Sequence, residues 1–161
     1  MTQKKNDWIF YDEKSICHFR VAGLLIRDDK LFVQREIAPN ICALPGGHVS
    51  FGETAAATLV REFKEEAGVS VAVGRLVWVE ENFWKWGKKD AHGINLYFLV
   101  ELNNDADLPD DYSQVMKDNS DVMMQWITFK DLQHITIYPE YIKEKVMNLP
   151  SDVEHMVRRD W

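Results

Sequence analysis

The stretch Leu44-Pro45-Gly46-Gly47-His48-Val49-Ser50-Phe51-Gly52-Glu53 leads into a segment that ends Arg61-Glu62-Phe63-Lys64-Glu65-Glu66-Ala67-Gly68-Val69. The second part has helical apolar spacing from about Thr54 to Ala67. Thr54-Ala55-Ala56 opens it without a β-branched run, and Gly68 stands where a helix needs a residue that tolerates a left-handed backbone. At about 100° per residue, Leu59, Phe63, Ala56, Ala67 and Val60 fall on one apolar arc, while Glu62, Glu65 and Glu66 share another arc about 100° wide. The helix is expected to rest on a sheet by one side and to present acid on the other.

Like charges one turn apart cost a few tenths of a kcal/mol per pair when exposed, and more when partly buried, so the acidic arc calls for a compensating cation. Carboxylate and carbonyl oxygens without His or Cys favour Mg2+ or Mn2+ over zinc. Ala55 and Thr58 leave space for a bulky ligand on the acidic side. Gly46-Gly47 and Gly52 let backbone approach closely, so a carbonyl there can join the ligand set. The plain alternative is a solvated acidic face; Glu53 and the glycines at matching positions argue against it.

Around this segment, Val21-Ala22-Gly23-Leu24-Leu25-Ile26, the turn Arg27-Asp28-Asp29-Lys30 and Leu31-Phe32-Val33 read as a hairpin. Further strands are expected at Leu76 to Glu80, Ile94 to Glu101 and Met123 to Phe129, and a second helix from about Tyr138 to Met147 with Pro139 in its first turn. Asn103 to Asn119, rich in Asp and Asn, reads as a surface loop. The pattern is that of an α/β (α+β) layered domain with a mixed or antiparallel sheet.

The 161 residues favour a single domain, 1–161, and 46% hydrophobic with 28% charged residues excludes disorder for most of the chain. The net charge of −7, with no basic run longer than pairs such as Lys88-Lys89 and Arg158-Arg159, leaves no footprint for a nucleic acid duplex. Neither a signal-like apolar run nor a membrane-length span is present, so no membrane partner and a cytoplasmic location are expected. Cys17 and Cys42 have no disulfide or zinc spacing and are expected to be buried small hydrophobes.

From Gly47 to Val69, glycine, five residues, glutamate, seven residues, Arg-Glu, an apolar residue, any residue, Glu-Glu, any residue, glycine and an apolar residue follow one another in register. This resembles the complete Nudix box of Nudix hydrolases. The one departure is Phe63, where the family usually has an aliphatic residue, and it should affect packing alone. The resemblance implies a Nudix-type α/β/α sandwich around a mixed β-sheet, over about residues 19 to 147. It also implies metal-dependent hydrolysis of a phosphoanhydride bond in a nucleoside diphosphate derivative. By the same resemblance, Glu62, Glu65 and Glu66 would hold the metal with the Gly46 carbonyl, Glu53 would be a further ligand or support, and Arg61 would orient a glutamate.

A general base outside the box is sought among Asp118, Asp121 and Glu101, with Asp121 favoured because it precedes the strand Met124 to Phe129. No subfamily marker for ADP-ribose, NADH or coenzyme A is present, so the substrate is left at a small nucleotide, either a nucleoside triphosphate or a dinucleotide type. Arg35 is a candidate phosphate or base contact. In Phe83-Trp84-Lys85-Trp86 the aromatics can stack a base, with Lys85, Lys88, Lys89 and His92 as phosphate grips. Trp84 and Trp86 share a face of any strand they occupy, so both or neither should line a pocket. A strand end or homodimer interface is the alternative for this segment. The alternatives for the whole chain are a nucleotide-sensing module without turnover and, lower, a prenyl diphosphate isomerase, for which Cys42 has no paired feature.

Overall fold

Leu24 and Leu25 are both buried, as a continuous apolar run requires when a strand is covered on both faces. The computed structural model describes residues 6–117 and 119–160. After the short β1 (Ile9–Tyr11), β2 (Ser15–Arg27) turns through Asp28 and Asp29, both at positive φ, into β3 (Lys30–Glu36), with Ile26 facing Leu31. That is the expected hairpin, and its two left-handed residues match the twist of the strands they join. There follow β4 (Ile41–Ala43), β5 (Gly46–His48), α1 (Ala55–Glu66), and the long pair β6 (Val71–Trp86) and β7 (Lys89–Leu102). The chain closes with β8 (Ser113–Val115), β9 (Val122–Thr128), α2 (Phe129–Leu132), β10 (Thr136–Tyr138), α3 (Ile142–Lys145) and β11 (Glu154–Arg159).

The sheet runs β10-β4-β3-β2-β7-β6-β11, with β1 and β5 also paired to β2 and β9 to β3. It is mixed: β2 with β7, β4 with β10 and β6 with β11 are parallel, and the other pairs antiparallel. Alternation sorts the core. Val21, Leu25, Phe32 and Val100 meet α1 on one face, and Leu24, Leu31, Val33, Trp78 and Ile137 lie with α2 and α3 on the other. This is the expected α/β/α arrangement. Among the described residues no helix is long and apolar enough to cross a membrane.

Several expectations are corrected. The second helix covers only Ile142–Lys145, because Thr136-Ile137-Tyr138 is taken up as a strand against β4 and Pro139 precedes the helix, its carbonyl accepting from Ile142 N–H. Asn103 to Asn119 is not all surface: Leu108 and Met116 are buried in the α1-side core and β8 pairs with β9. Val60 is exposed, since at the edge of the apolar arc it passes beyond the sheet. Cys42 is buried but Cys17 is exposed, and both are free thiols. Strand β11, beyond the last element expected, pairs in parallel with β6 and is tied by Lys145 Nζ to Glu154 at 2.6 Å.

Thr54 caps α1 by accepting the Ala57 N–H at 3.1 Å, and Gly68 follows at φ +78°. Phe63 is fully buried on β2, where a Cβ at Gly23 would lie 2.7 Å from its ring. Gly23→Ala should therefore cost about 1–3 kcal/mol in urea unfolding, and clearly less in a Phe63→Leu background. Equal costs in the two backgrounds would show that Gly23 does not serve to admit the ring.

His18 of β2 lies under Trp84, ring centroids 5.1 Å apart, and beside His48 at 5.3 Å. Burial, reinforced by the positive charge of Arg20, lowers its pKa from the usual 6.5 to about 4. The unfolded chain thus takes up a proton that the folded chain refuses, and stability falls as pH drops from about 6.5 towards about 4. Thermal melts should show His18→Gln losing less stability than the unsubstituted protein between about pH 7 and about pH 5; parallel pH profiles would contradict this.

Candidate active site

Strand β5 places Gly46 opposite Ala22 and Gly47 opposite Val21. A Cβ at Gly46 would run into the Val21 carbonyl, so only glycine permits this approach. On the other side of β5, a Cβ at Gly47 would lie 2.5 Å from the carboxyl carbon of Glu62. Gly46 thus lets β5 close onto β2, and Gly47 lets the acidic side of α1 close onto β5.

Arg61 organises the carboxylates. Its Nε donates to Glu53 Oε1 at 2.9 Å and its Nη2 to Glu53 Oε2 at 3.0 Å, a bidentate fork that Thr58 Oγ1 supports by donating to Glu53 Oε2 at 2.9 Å. Nη1 turns the other way, to Glu62 Oε1 at 2.5 Å and Glu65 Oε2 at 3.3 Å. Burial alone would lower the pKa of this guanidinium, but its bonds to Glu53 and Glu62 outweigh burial and raise it. Thr58, expected to leave ligand space, is instead fully buried as a support for Glu53.

Glu66 is 8% exposed and, with Gly46, Arg20, Gln34, Glu36 and Asn119, lines a cavity of about 510 Å³. A second cavity, about 240 Å³, shares Arg20 and Ala43 with the first. Its floor is Glu80, Asn82, Asn95 and Tyr97, and Trp84, Tyr138 and Arg158 are among its walls. The larger space is in the size range of small-ligand sites, and the smaller one adjoins it. The oxygen donors beside the first suit a hard divalent cation. Among the described residues no three His, Cys, Asp or Glu side chains converge closely enough to hold one as they stand, and Arg61 lies among the carboxylates.

Glu53, Arg61, Glu62, Glu65, Glu66 and Gly46 are thus brought to one place. Asp121 is exposed in the turn before β9, between the cavity-lining Asn119 and Val122. Asp118 lies outside the described residues. Glu101 is set apart, lining a different cleft with Arg27 and Asp105. Arg35 lines neither cavity; its Nε donates to Asn40 Oδ1 at 2.5 Å. Trp84 and Trp86 do share a face of β6, but only Trp84 lines the smaller cavity, because Trp86 stands two residues further on, at the hairpin end, 59% exposed. Lys85 and Lys89 are at the same hairpin, paired with Asp90 and with the Asp12 carbonyl. Ser15, the register partner of Asp90, is five residues from Arg20, about 17 Å along β2, so these lysines are remote from the acidic helix.

Arg20, Glu80, Asn82, Asn95 and Arg158 were not anticipated. One signal was available: in β6 the alternate residues Trp78, Glu80, Asn82 and Trp84 carry polar groups on one face of a strand otherwise rich in apolar residues.

Residues 18–146 match the family model described as NUDIX domain. The chain is 35% identical over 94 residues to the human m7GpppN-mRNA hydrolase NUDT17, an alignment covering 50% of this chain and 29% of that protein. It is 34% identical over 87 residues to an ADP-ribose pyrophosphatase of Methanocaldococcus jannaschii, covering 51% of this chain and 49% of the relative. It therefore spans half or less of the length of these relatives. The mutator MutT protein of Bacillus halodurans superposes with a TM-score of 0.62 at 13% identity, covering 88% of this chain and 89% of that one, a likeness of fold. With the model matched over most of its length, the chain belongs to the NUDIX domain family.

Proposed function

We propose that this protein is a metal-dependent pyrophosphohydrolase that cleaves a phosphoanhydride bond in a nucleoside diphosphate derivative. The observation that carries the reading is the gathering of Glu53, Glu62 and Glu65 around one arginine, beside Glu66 at the cavity. In this reading Glu62, Glu65 and Glu66, with the Gly46 carbonyl, hold Mg2+ or Mn2+. The bound ion supplies charge neutralisation of the diphosphate and a lowered pKa for the attacking water.

Arg61 meets Glu62 and Glu65 through Nη1, while Nε and Nη2 are engaged by Glu53. Glu53 can therefore keep Arg61 in place while Glu62 and Glu65 turn to a cation, which makes Glu53 a support. Arg20, common to both cavities, takes the phosphate-contact role for which Arg35 was a candidate, and Trp84 offers its ring to the base. Asp121 is the proton acceptor we favour outside the helix. Relatives named as an mRNA cap hydrolase and an ADP-ribose pyrophosphatase support the bond type and leave the second moiety open.

The test is phosphate release from a panel of nucleoside triphosphates, dinucleotides and nucleotide sugars, with Mg2+ and with chelator. Turnover should require the metal; calorimetric binding without turnover of any member would instead indicate a sensing module. Glu66→Gln should abolish the rise in thermal midpoint on adding Mg2+ and lose more than about 100-fold in turnover, against about 10- to 100-fold for Glu53→Gln. If Glu66→Gln keeps normal turnover at low Mg2+, the ligand assignment is wrong.

For the aromatic segment, Trp84→Ala should raise KM for nucleotides by about 5- to 150-fold, the range of one lost base stack, and Trp86→Ala should change it little. A Trp86→Ala effect as large as that of Trp84→Ala, or an equal loss on inorganic tripolyphosphate, would remove the stacking role.

A further inference from the structure

Strand β11 lies wholly beyond residue 146, where the match to the family model ends, yet it supplies a wall of the smaller cavity. It pairs in parallel with β6, placing Arg158 directly opposite Asn82, and Arg158 is held on the cavity face. From there its Nε donates to Glu80 Oε1 at 3.1 Å.

Glu80 is 1% exposed, and a carboxylate so deeply buried needs a cationic partner and filled hydrogen-bond positions. Oε2 is filled from within the sheet, by Asn95 Nδ2 at 2.8 Å and the Tyr97 hydroxyl at 2.9 Å. The Asn95 amide in turn lies 3.0 Å from that of Asn82. Register puts Arg20, Asn95 and Glu80 in one row across β2, β7 and β6, so the polar floor begins at the arginine that also borders the acidic cavity. Arg158 is the counter-charge at the other end of this floor, and Asp160 engages its Nη1.

We propose that Arg158 is a positioning residue for substrate selection, holding Glu80 so that the amides of Asn82 and Asn95 present a fixed hydrogen-bonding edge to the nucleobase-like group of the substrate. The inference rests on the functional reading above and deepens it. Without Arg158, Glu80 loses its cationic partner, and the Asn95 and Tyr97 groups bonded to it must move with it. Phosphate handling at the acidic cavity does not pass through this network. The change should therefore appear in the choice of base and in KM, ahead of kcat.

The experiment compares the unsubstituted protein with Arg158→Met on four nucleoside triphosphates and on tripolyphosphate, with circular dichroism as a check of folding. Expected is a rise in nucleotide KM of about tenfold or more, as for loss of a charge-assisted bond. The base preference should flatten, and the ratio of kcat/KM for the best nucleotide to that for tripolyphosphate should fall by a similar factor. An unchanged base ranking, or equal losses on nucleotides and tripolyphosphate, would overturn the proposal. Should Arg158→Met not fold, the double variant Glu80→Gln/Arg158→Met, which buries no charge, is read instead. Its introduced glutamine presents an amide donor where a carboxylate oxygen accepted, so an altered ranking supports the proposal and the original ranking overturns it. Should the unsubstituted protein show no metal-dependent turnover, the functional reading fails by itself. Calorimetric affinities for the four nucleoside monophosphates, in both proteins, then decide the role of Arg158 by the same comparison of rankings.

Discussion

The close contact between the acidic side of α1 and Gly47 of β5 is the constraint on which the site depends. Phe63 enters the core over Gly23, which sets the rotation of the helix, and Glu62, one residue earlier, is thereby directed onto Gly47. The other helix acids follow from the same rotation: Glu66 turns in to the larger cavity while Glu65 stays further out. A side chain at Gly47 would hold the helix and strand apart and displace Glu62, and one at Gly46 would push β5 off β2.

Such a concentration of acid is stable only because it is compensated locally. Arg61 divides its guanidinium between Glu53 on one side and Glu62 and Glu65 on the other. A guanidinium has the planar fork that this division needs; a lysine ammonium would not present the same paired bonds. The arrangement accounts for how Glu62, Glu65 and Glu53 coexist beside a packed sheet, and it leaves Nη1 as the contact that a divalent cation would compete for.

The sheet performs a parallel task on its other face. Alternation along β7 sends Val100 into the α1-side core while directing Asn95 and Tyr97 to the smaller cavity, where Glu80, Asn82 and Trp84, alternate residues of β6, join them. Because β2 pairs with both β5 and β7, Arg20 is within the lining of both cavities, and so the two spaces adjoin. The edge strand β11 then adds a cation to a floor that would otherwise hold an uncompensated carboxylate.

What the sequence determined by itself was whatever depends on short-range spacing. The helix from Thr54 to Ala67, its acidic and apolar arcs, the hairpin around Asp28-Asp29 and the box from Gly47 to Val69 are all local patterns, legible because a helix repeats every 3.6 residues and a strand every two. Tertiary structure decided the rest. Glu80 and Arg158 are 78 residues apart and meet only because β11 pairs with β6, which no local pattern announces in a six-residue edge strand of mixed polarity. Tyr138 became strand because Ala43 was available to pair with it, overriding the helical spacing that follows. Trp84 and Trp86 are equivalent in parity, and only the position at which the cavity ends along β6 separates a half-buried ring from an exposed one. Periodicity specifies the face on which a side chain stands; what stands opposite it depends on pairing between distant segments, whose stability is gained only once the whole sheet has assembled.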